Sequence, residues 1–255
     1  MSAQLSISTM HGSLLLAVTL IFLLAGLVKG IVGLGLPTVA VGLLGLYMSP
    51  LQAAALLIMP SLVTNLWQLL AGGRFVWLLR RLWLMLAGIV AGTLLGAQLV
   101  PVIHDGGATL ILGLALMGYA VVGLSAVKFS VPPERERRWS LMIGVVTGVI
   151  TATTAVLVIP AVPFLQALRL NKDELIQALG LSFTISTLAM AAALAHGGTL
   201  QSTDAMLSIL ALVPALAGML LGQCLRARIS ASVFRCCFFI GLLLLGMDLF
   251  IQGWR

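Results

Sequence analysis

The sequence predicts an all-α polytopic membrane protein made of two inverted-topology repeats. Of its 255 residues, 61% are hydrophobic and only 8% are charged, whereas about a quarter of the residues of a soluble domain are charged. The loop with Arg74, Arg80 and Arg81 is basic, and the next loop holds only His104 and Asp105. Short basic loops stay in the cytoplasm, so the first of these two loops is predicted to lie inside.

The second half reverses this order of charge. The loop from His196 to Asp204 has no Lys or Arg, and the following loop holds Arg226, Arg228 and Arg235. The two halves are therefore predicted to cross the membrane in opposite directions. Many secondary transporters are built from such inverted repeats, so the charge pattern indicates function as well as fold.

The first repeat, residues 1–130, opens with an apolar stretch at 13–47 that is too long for one upright helix of about 20 residues. Gly30, Gly33, Gly35 and Pro37 interrupt it. We interpret it as a re-entrant hairpin that enters from outside, breaks near mid-membrane and returns. Three membrane-crossing helices are predicted to follow, at 51–70, 82–102 and 108–127.

A cytoplasmic linker at 131–139 leads to the second repeat, 140–255. Its first apolar stretch, 140–170, has basic residues at both ends and is too short for two full crossings at 1.5 Å per residue, which predicts a second re-entrant hairpin. Crossings at 175–195, 205–225 and 233–251 complete the repeat. Both termini are expected outside, with the protein in the bacterial inner membrane.

Paired glycines recur in the same order in both halves, as expected where helices approach closely. The matches are Gly26-x3-Gly30 with Gly144-x3-Gly148, Gly72-Gly73 with Gly197-Gly198, Gly92-x3-Gly96 with Gly218-x3-Gly222, and Gly113-x4-Gly118 with Gly241-x4-Gly246.

The segment Gly26–Pro37, GLVKGIVGLGLP, resembles the sulfite exporter TauE/SafE family, as do the Gly72-Gly73 helix end and the diverged copy that begins at Gly144. The resemblance covers nearly the whole chain. It implies export, and for some members import, of small anions such as sulfite, organosulfonates and related organic acids. The chain departs from the family pattern at Leu34-Gly35-Leu36 and at Thr151–Ala155, where adjacent glycines are usual.

Lys29 is the most informative single residue, because a lysine at mid-membrane costs roughly 2.5–3.5 kcal/mol on insertion scales. We interpret it as facing a water-filled cavity, where it would neutralise an anionic substrate. The alternatives are that it reaches to the membrane interface or pairs with a carboxylate.

Backbone N–H groups at the hairpin breaks are further candidates, since broken helix ends bind anions. Threonine hydroxyls could add donors, although threonine in membrane helices often bonds its own i−4 carbonyl. On the second helix, Thr64 and Gln68 share a face and Asn65 lies beside it. The alternative role of these residues is to form hydrogen bonds between helices. The predicted substrate-binding residues are Lys29, Gly33, Gly35, Thr38, Thr64, Asn65, Thr151, Thr153, Thr154 and Ser186.

The leading functional hypothesis is a secondary transporter of small anions, with its site at the midplane between the two hairpin tips. A metal-ion or other small-solute permease and an intramembrane enzyme are alternatives, but His11, His104 and His196 are scattered and no deep acidic pair accompanies them. We expect no cofactor, no metal and no nucleic-acid partner. The expected partners are the lipid bilayer and a small anion, and the sequence leaves proton coupling and a homodimer open.

Overall fold

The computed structural model describes residues 12–100, 105–125, 130–198, 202–226, 228 and 230–254. All regular structure in these residues is helical. The helices are α1 (Gly12–Val32), α2 (Leu36–Leu44), α3 (Pro50–Leu70), α4 (Phe75–Leu99), α5 (Asp105–Leu124), α6 (Pro133–Thr154), α7 (Ala161–Ala167), α8 (Lys172–His196), α9 (Ser202–Leu225) and α10 (Ala231–Trp254).

Seven of the described helices are long and apolar enough to cross a membrane: α1, α3, α4, α5, α8, α9 and α10. The prediction of an all-α polytopic membrane protein is confirmed. Each predicted hairpin consists of a long helix followed by a short one, with α1 and α2 in the first and α6 and α7 in the second.

Two helices begin seven residues before the apolar stretches that predicted them. Helix α4 begins at Phe75 rather than at 82 and takes in Arg80 and Arg81, and α6 begins at Pro133 rather than at 140. Most of the predicted linker at 131–139 is therefore helical. Arginine and glutamate are good helix formers, so these helices continue past the point where the chain stops being apolar.

Helices α3 and α8, which occupy equivalent places in the two halves, begin with the same capping arrangement. The Ser49 hydroxyl accepts from the N–H of Gln52, whose side chain accepts from the Ser49 N–H. Asn171 and Glu174 repeat this arrangement at the start of α8. A reciprocal box of this kind satisfies two of the free N–H groups at a helix start.

The main contacts between the long helices are the same when the two halves are exchanged. Helix α1 packs on α9, and its counterpart α6 packs on α4; α3 packs on α8, and α5 packs on α10. Gly26 of α1 lies against Ala215, where an added Cβ would be 2.1 Å from the carbonyl oxygen. Gly144 of α6 lies in the same way against Met85, at 2.2 Å. Each half therefore supplies a glycine face to a helix of the other half.

The register of these contacts corrects one glycine match. Gly218 of α9 approaches the Leu23 carbonyl, three residues before Gly26, and Gly88 of α4 approaches the Leu141 carbonyl, three residues before Gly144. The counterpart of Gly218-x3-Gly222 is therefore the pair that begins at Gly88, one turn earlier than the predicted Gly92-x3-Gly96. The order of small residues had suggested the match, but only packing shows which carbonyl each of them faces.

One end of the bundle is held together by charged groups. Arg81 of α4 donates from Nε and from one terminal nitrogen to the Glu136 carboxylate of α6, at 2.7 and 2.9 Å. It also donates to the Leu168 carbonyl just after α7, at 3.3 Å. Arg74 pairs with Glu174 of α8 at 3.1 Å. The second hairpin thus begins and ends at the same end of the bundle, which we call the basic end.

Candidate substrate site

Lys29 lies in the last turn of α1 and is only 3% exposed. Its ammonium donates to the Thr64 hydroxyl at 3.1 Å and to the Asn65 side-chain oxygen, both on α3. Among the described residues no carboxylate forms an ion pair with it. The structure thus brings together three of the predicted site residues and leaves a buried cation whose partners are all neutral.

The position of Lys29 differs from the expected mid-membrane depth. It lies one turn before the end of the 21-residue α1, and its partner Thr64 is about 9 Å along the axis from the end of α3. Both distances place the ammonium nearer the basic end of the bundle. The side chain does not extend to the surface there, because α3 covers it.

Pro60 and Ser208 shape α3 just before these partners. Proline has no N–H, so Pro60 leaves the carbonyl of Leu56 without its helical donor. The Ser208 hydroxyl of α9 donates to that carbonyl at 3.0 Å and accepts from the Met59 N–H at 3.0 Å. The Thr64 hydroxyl donates to the Pro60 carbonyl at 2.6 Å, which turns its lone pairs towards Lys29.

The first hairpin breaks at Gly33 and Gly35, which have φ of 82° and 104°. These values lie in the left-handed region that favours glycine. Gln68 of α3 donates from Nε2 to the Gly33 carbonyl at 2.7 Å. The break is therefore bonded to α3, the helix whose Thr64 and Asn65 accept from Lys29, and the contact lies one turn after Asn65.

The predicted threonine donors of the second break are engaged with the backbone of their own segment. Thr153 and Thr154 donate to carbonyls three or four residues earlier, at 2.6–3.2 Å. Thr151 donates to the Val156 carbonyl at 3.2 Å, and Thr154 accepts from the Val156 N–H at 3.2 Å. These hydroxyls satisfy groups freed where the helix ends, which is the alternative role that threonine was expected to have.

The structure does not bring the two breaks together. Gly33 lies beside Gln68 near the end of α3, whereas Thr153 and Ala155 line a cavity of about 120 Å³ with Ala54 near the start of α3. Ala54 and Gln68 are about 21 Å apart along that helix. The predicted site between the two tips is therefore not present, and the predicted residues separate into two groups at opposite ends of α3.

The remaining two candidates, Thr38 and Ser186, are fully buried and their hydroxyls have no hydrogen-bond partner. Gly180 of α8 lies against Asn65 and Leu69 of α3. Ser186 is six residues further on, so at 3.6 residues per turn it is rotated about 240° from that face. No hydrogen bond joins either hydroxyl to Lys29.

The described residues contain no group of three His, Cys, Asp or Glu side chains placed to hold a metal ion. His196 is exposed at the end of α8. His11 and His104 lie outside the described residues. Gln177 joins α8 to the α3–α4 turn by donating to the carbonyls of Leu69 and Gly72 at 2.8 and 2.9 Å.

Ser61 is the residue of this region that sequence reasoning missed. It lies one turn before Asn65, is fully buried and has a hydroxyl without a partner. Positions i, i+3, i+4 and i+7 share one helix face, so extending the Thr64–Gln68 face back by one turn would have identified it.

Residues 18–249 match the family described as sulfite exporter TauE/SafE, and the chain therefore belongs to that family. Searches of curated proteins and of solved structures found no match. The family assignment agrees with the seven apolar helices: the chain is a multi-pass membrane protein of an exporter family.

Proposed function

Since the chain is a TauE/SafE protein, we propose that it is a secondary transporter that exports small anions such as sulfite or organosulfonates by alternating access. The observation that carries the proposal is Lys29, a buried ammonium held by two neutral side chains of α3. A buried charge without a counterion is costly. A transported anion would supply the missing negative charge.

The two ends of α3 suggest how access could alternate. Lys29 lies towards the basic end, and the small cavity at the start of α3 lies towards the other end. We propose that the repeats are inserted with inverted topology and that the basic end faces the cytoplasm, as short basic loops do. A membrane potential that is negative inside then favours anion export by about 2.3 kcal/mol per charge per 100 mV.

Lys29→Met tests the proposal in reconstituted liposomes loaded with radiolabelled sulfite or organosulfonate. Transport should fall by at least about tenfold, a loss of about 1.4 kcal/mol or more of substrate stabilisation. Thermal stability in detergent should change little, because the desolvation cost of the buried charge disappears with the charge and offsets the loss of its hydrogen bonds to Thr64 and Asn65.

The matched control is Thr147→Val, which removes a fully buried polar group from the corresponding position of α6. Its transport should stay close to that of the unmodified protein. A structural lysine would give the opposite pattern, with lower stability for Lys29→Met and recovery with Lys29→Arg. Normal transport by well-folded Lys29→Met would overturn the proposal.

A further inference from the structure

Four polar residues form a stripe on the face of α3 that meets Lys29. Ser61, Thr64, Asn65 and Gln68 occupy positions i, i+3, i+4 and i+7, which share one helix face. Three of their atoms are buried without a hydrogen-bond partner: Ser61 Oγ, Asn65 Nδ2 and Gln68 Oε1. Buried polar groups normally have partners, so these three atoms, which lie on one stripe beside Lys29, are candidates for contacts with a bound ligand.

The chemical character of these atoms differs along the stripe. Asn65 uses its oxygen to accept from Lys29, so its NH2 group is available as a donor. Gln68 uses its NH2 group to donate to the Gly33 carbonyl, so its oxygen is left, and an amide oxygen can only accept. Asn65, which holds the ammonium and carries the free donor, and Gln68, which carries the free acceptor, are three residues apart, about 4.5 Å along the axis of α3.

We propose, on the basis of the transport function proposed above, that the substrate is a monoanion that carries a hydrogen-bond donor. Sulfite would then be bound in its protonated form, hydrogensulfite (HSO3⁻). Its negative group binds at Lys29 and Asn65, and its donor reaches Gln68. Lys29 supplies the single positive charge of this cluster, so a second negative charge on the substrate would be buried without compensation. An anion without a donor would leave the Gln68 oxygen unpaired.

Two sulfonates of equal charge and similar size separate these cases. Proteoliposomes are assayed for transport of 2-hydroxyethanesulfonate, which has a hydroxyl donor, and of ethanesulfonate, which lacks it. A site that pairs with a hydroxyl discriminates strongly against the analogue without one. We expect the hydroxylated anion to be transported at least about tenfold faster, and the dianion 1,2-ethanedisulfonate not to be transported above the rate of protein-free liposomes.

Gln68→Met assigns the preference to Gln68. The variant should transport the two monoanions at nearly equal rates, even if its overall rate is lower, because a purely structural loss would slow both alike. Gln223→Met on α9 is the control, since Gln223 is exposed, and it should keep the preference.

Equal transport of the two monoanions by the unmodified protein would overturn this inference and leave the anion-transport proposal intact. An unchanged preference in Gln68→Met would also overturn it. If the protein transports neither monoanion nor sulfite faster than protein-free liposomes do, the proposed function fails and the inference fails with it.

Discussion

Lys29 of α1 and Thr147 of α6 occupy the same place in the two halves, but they form different hydrogen bonds there. Each directly precedes the second glycine of its pair, Gly30 or Gly148, and each of these glycines packs on a carbonyl of the partner helix at 2.2 or 2.3 Å from an added Cβ. Lys29 reaches across to α3, whereas the Thr147 hydroxyl donates to the Ile143 carbonyl of its own helix at 2.7 Å.

The same difference appears on the helices that follow the hairpins. Aligning the capping boxes of α3 and α8 places Asn65 opposite Thr187, which donates to the Phe183 carbonyl at 2.7 Å. The backbone packing of the two halves is repeated, but the cation and its amide partner occur in the first half. The repeat thus supplies a scaffold, and the candidate site is an addition to one side of it.

Replacing a glycine by alanine where α1 packs on α9, or where α6 packs on α4, should have the largest effect on stability, and the effect should be equal at the two contacts. Gly26→Ala and Gly144→Ala should each destabilise the protein by about 2–3 kcal/mol, because overpacking forces helices apart. Gly118→Ala and Gly241→Ala are controls, since a Cβ there would meet nothing within 4 Å, and should not destabilise. Thermal unfolding in detergent measures all four. A much larger loss of stability at one of these two contacts than at the other would contradict the equivalence of the halves.

Moving the charge to the second half should not restore transport. In Lys29→Met combined with Thr147→Lys, the new lysine would find Thr187 where Lys29 has Asn65. We therefore expect sulfite transport to stay at least about tenfold below that of the unmodified protein, equivalent to about 1.4 kcal/mol. The measurement is uptake in proteoliposomes at matched protein density. Recovery to the unmodified rate would mean that the two positions are chemically interchangeable.

The two hairpin breaks should respond to substitution with opposite sign. Gly35 has a φ of 104° and Ala155 a φ of 57°, and left-handed backbone costs a residue other than glycine roughly 1–2 kcal/mol. Gly35→Ala should thus lower stability by about 1–2 kcal/mol, and Ala155→Gly should not lower it. Thermal unfolding of the two variants checks this, and destabilisation by Ala155→Gly would show that the Ala155 methyl group contributes more than its backbone strain costs.

The smallest effect is expected for Thr153→Val. Its hydroxyl donates within its own helix, and hydroxyls bonded in this way contribute little to binding elsewhere. Transport should remain within about twofold of the unmodified rate, less than 0.5 kcal/mol. A loss comparable to that of Lys29→Met would restore Thr153 to the substrate site.

Much of the fold and part of the site could be predicted from the sequence. The apolar stretches located six of the seven candidate spans, and Gly33, Gly35 and the Thr151–Ala155 segment located the two breaks. The seventh candidate span, α1, was predicted as the first arm of a re-entrant hairpin, whereas it is long enough to cross the membrane. Lys29, Thr64 and Asn65 were identified because polar groups in an apolar helix are costly and stand out. These are local properties, which a sequence records directly.

The depth of the breaks could not be predicted, because it depends on which helices run side by side. Gly88 and Gly92 of α4 meet Leu141 and Val145 of α6 in parallel register, which brings the end of α6 to the end of α4. For the second hairpin, hydropathy suggested a mid-membrane break because the apolar stretch begins at 140, after the arginines in the first two turns of α6. The role of the Thr151, Thr153 and Thr154 hydroxyls could not be decided from the sequence either, because only the structure shows that they donate to backbone carbonyls of their own segment.

The exchange of glycine faces between the halves has a consequence for how this chain is assembled. Gly26 and Gly30 of the first half are covered by α9 of the second, and Gly144 and Gly148 of the second half are covered by α4 of the first. In a half-chain on its own, two surfaces would be uncovered: its own glycine face, and the helix surface that packs on the glycine face of the other half. Each half is thus a subunit whose missing partner is the other half, and the pair corresponds to a dimer joined by a covalent connection.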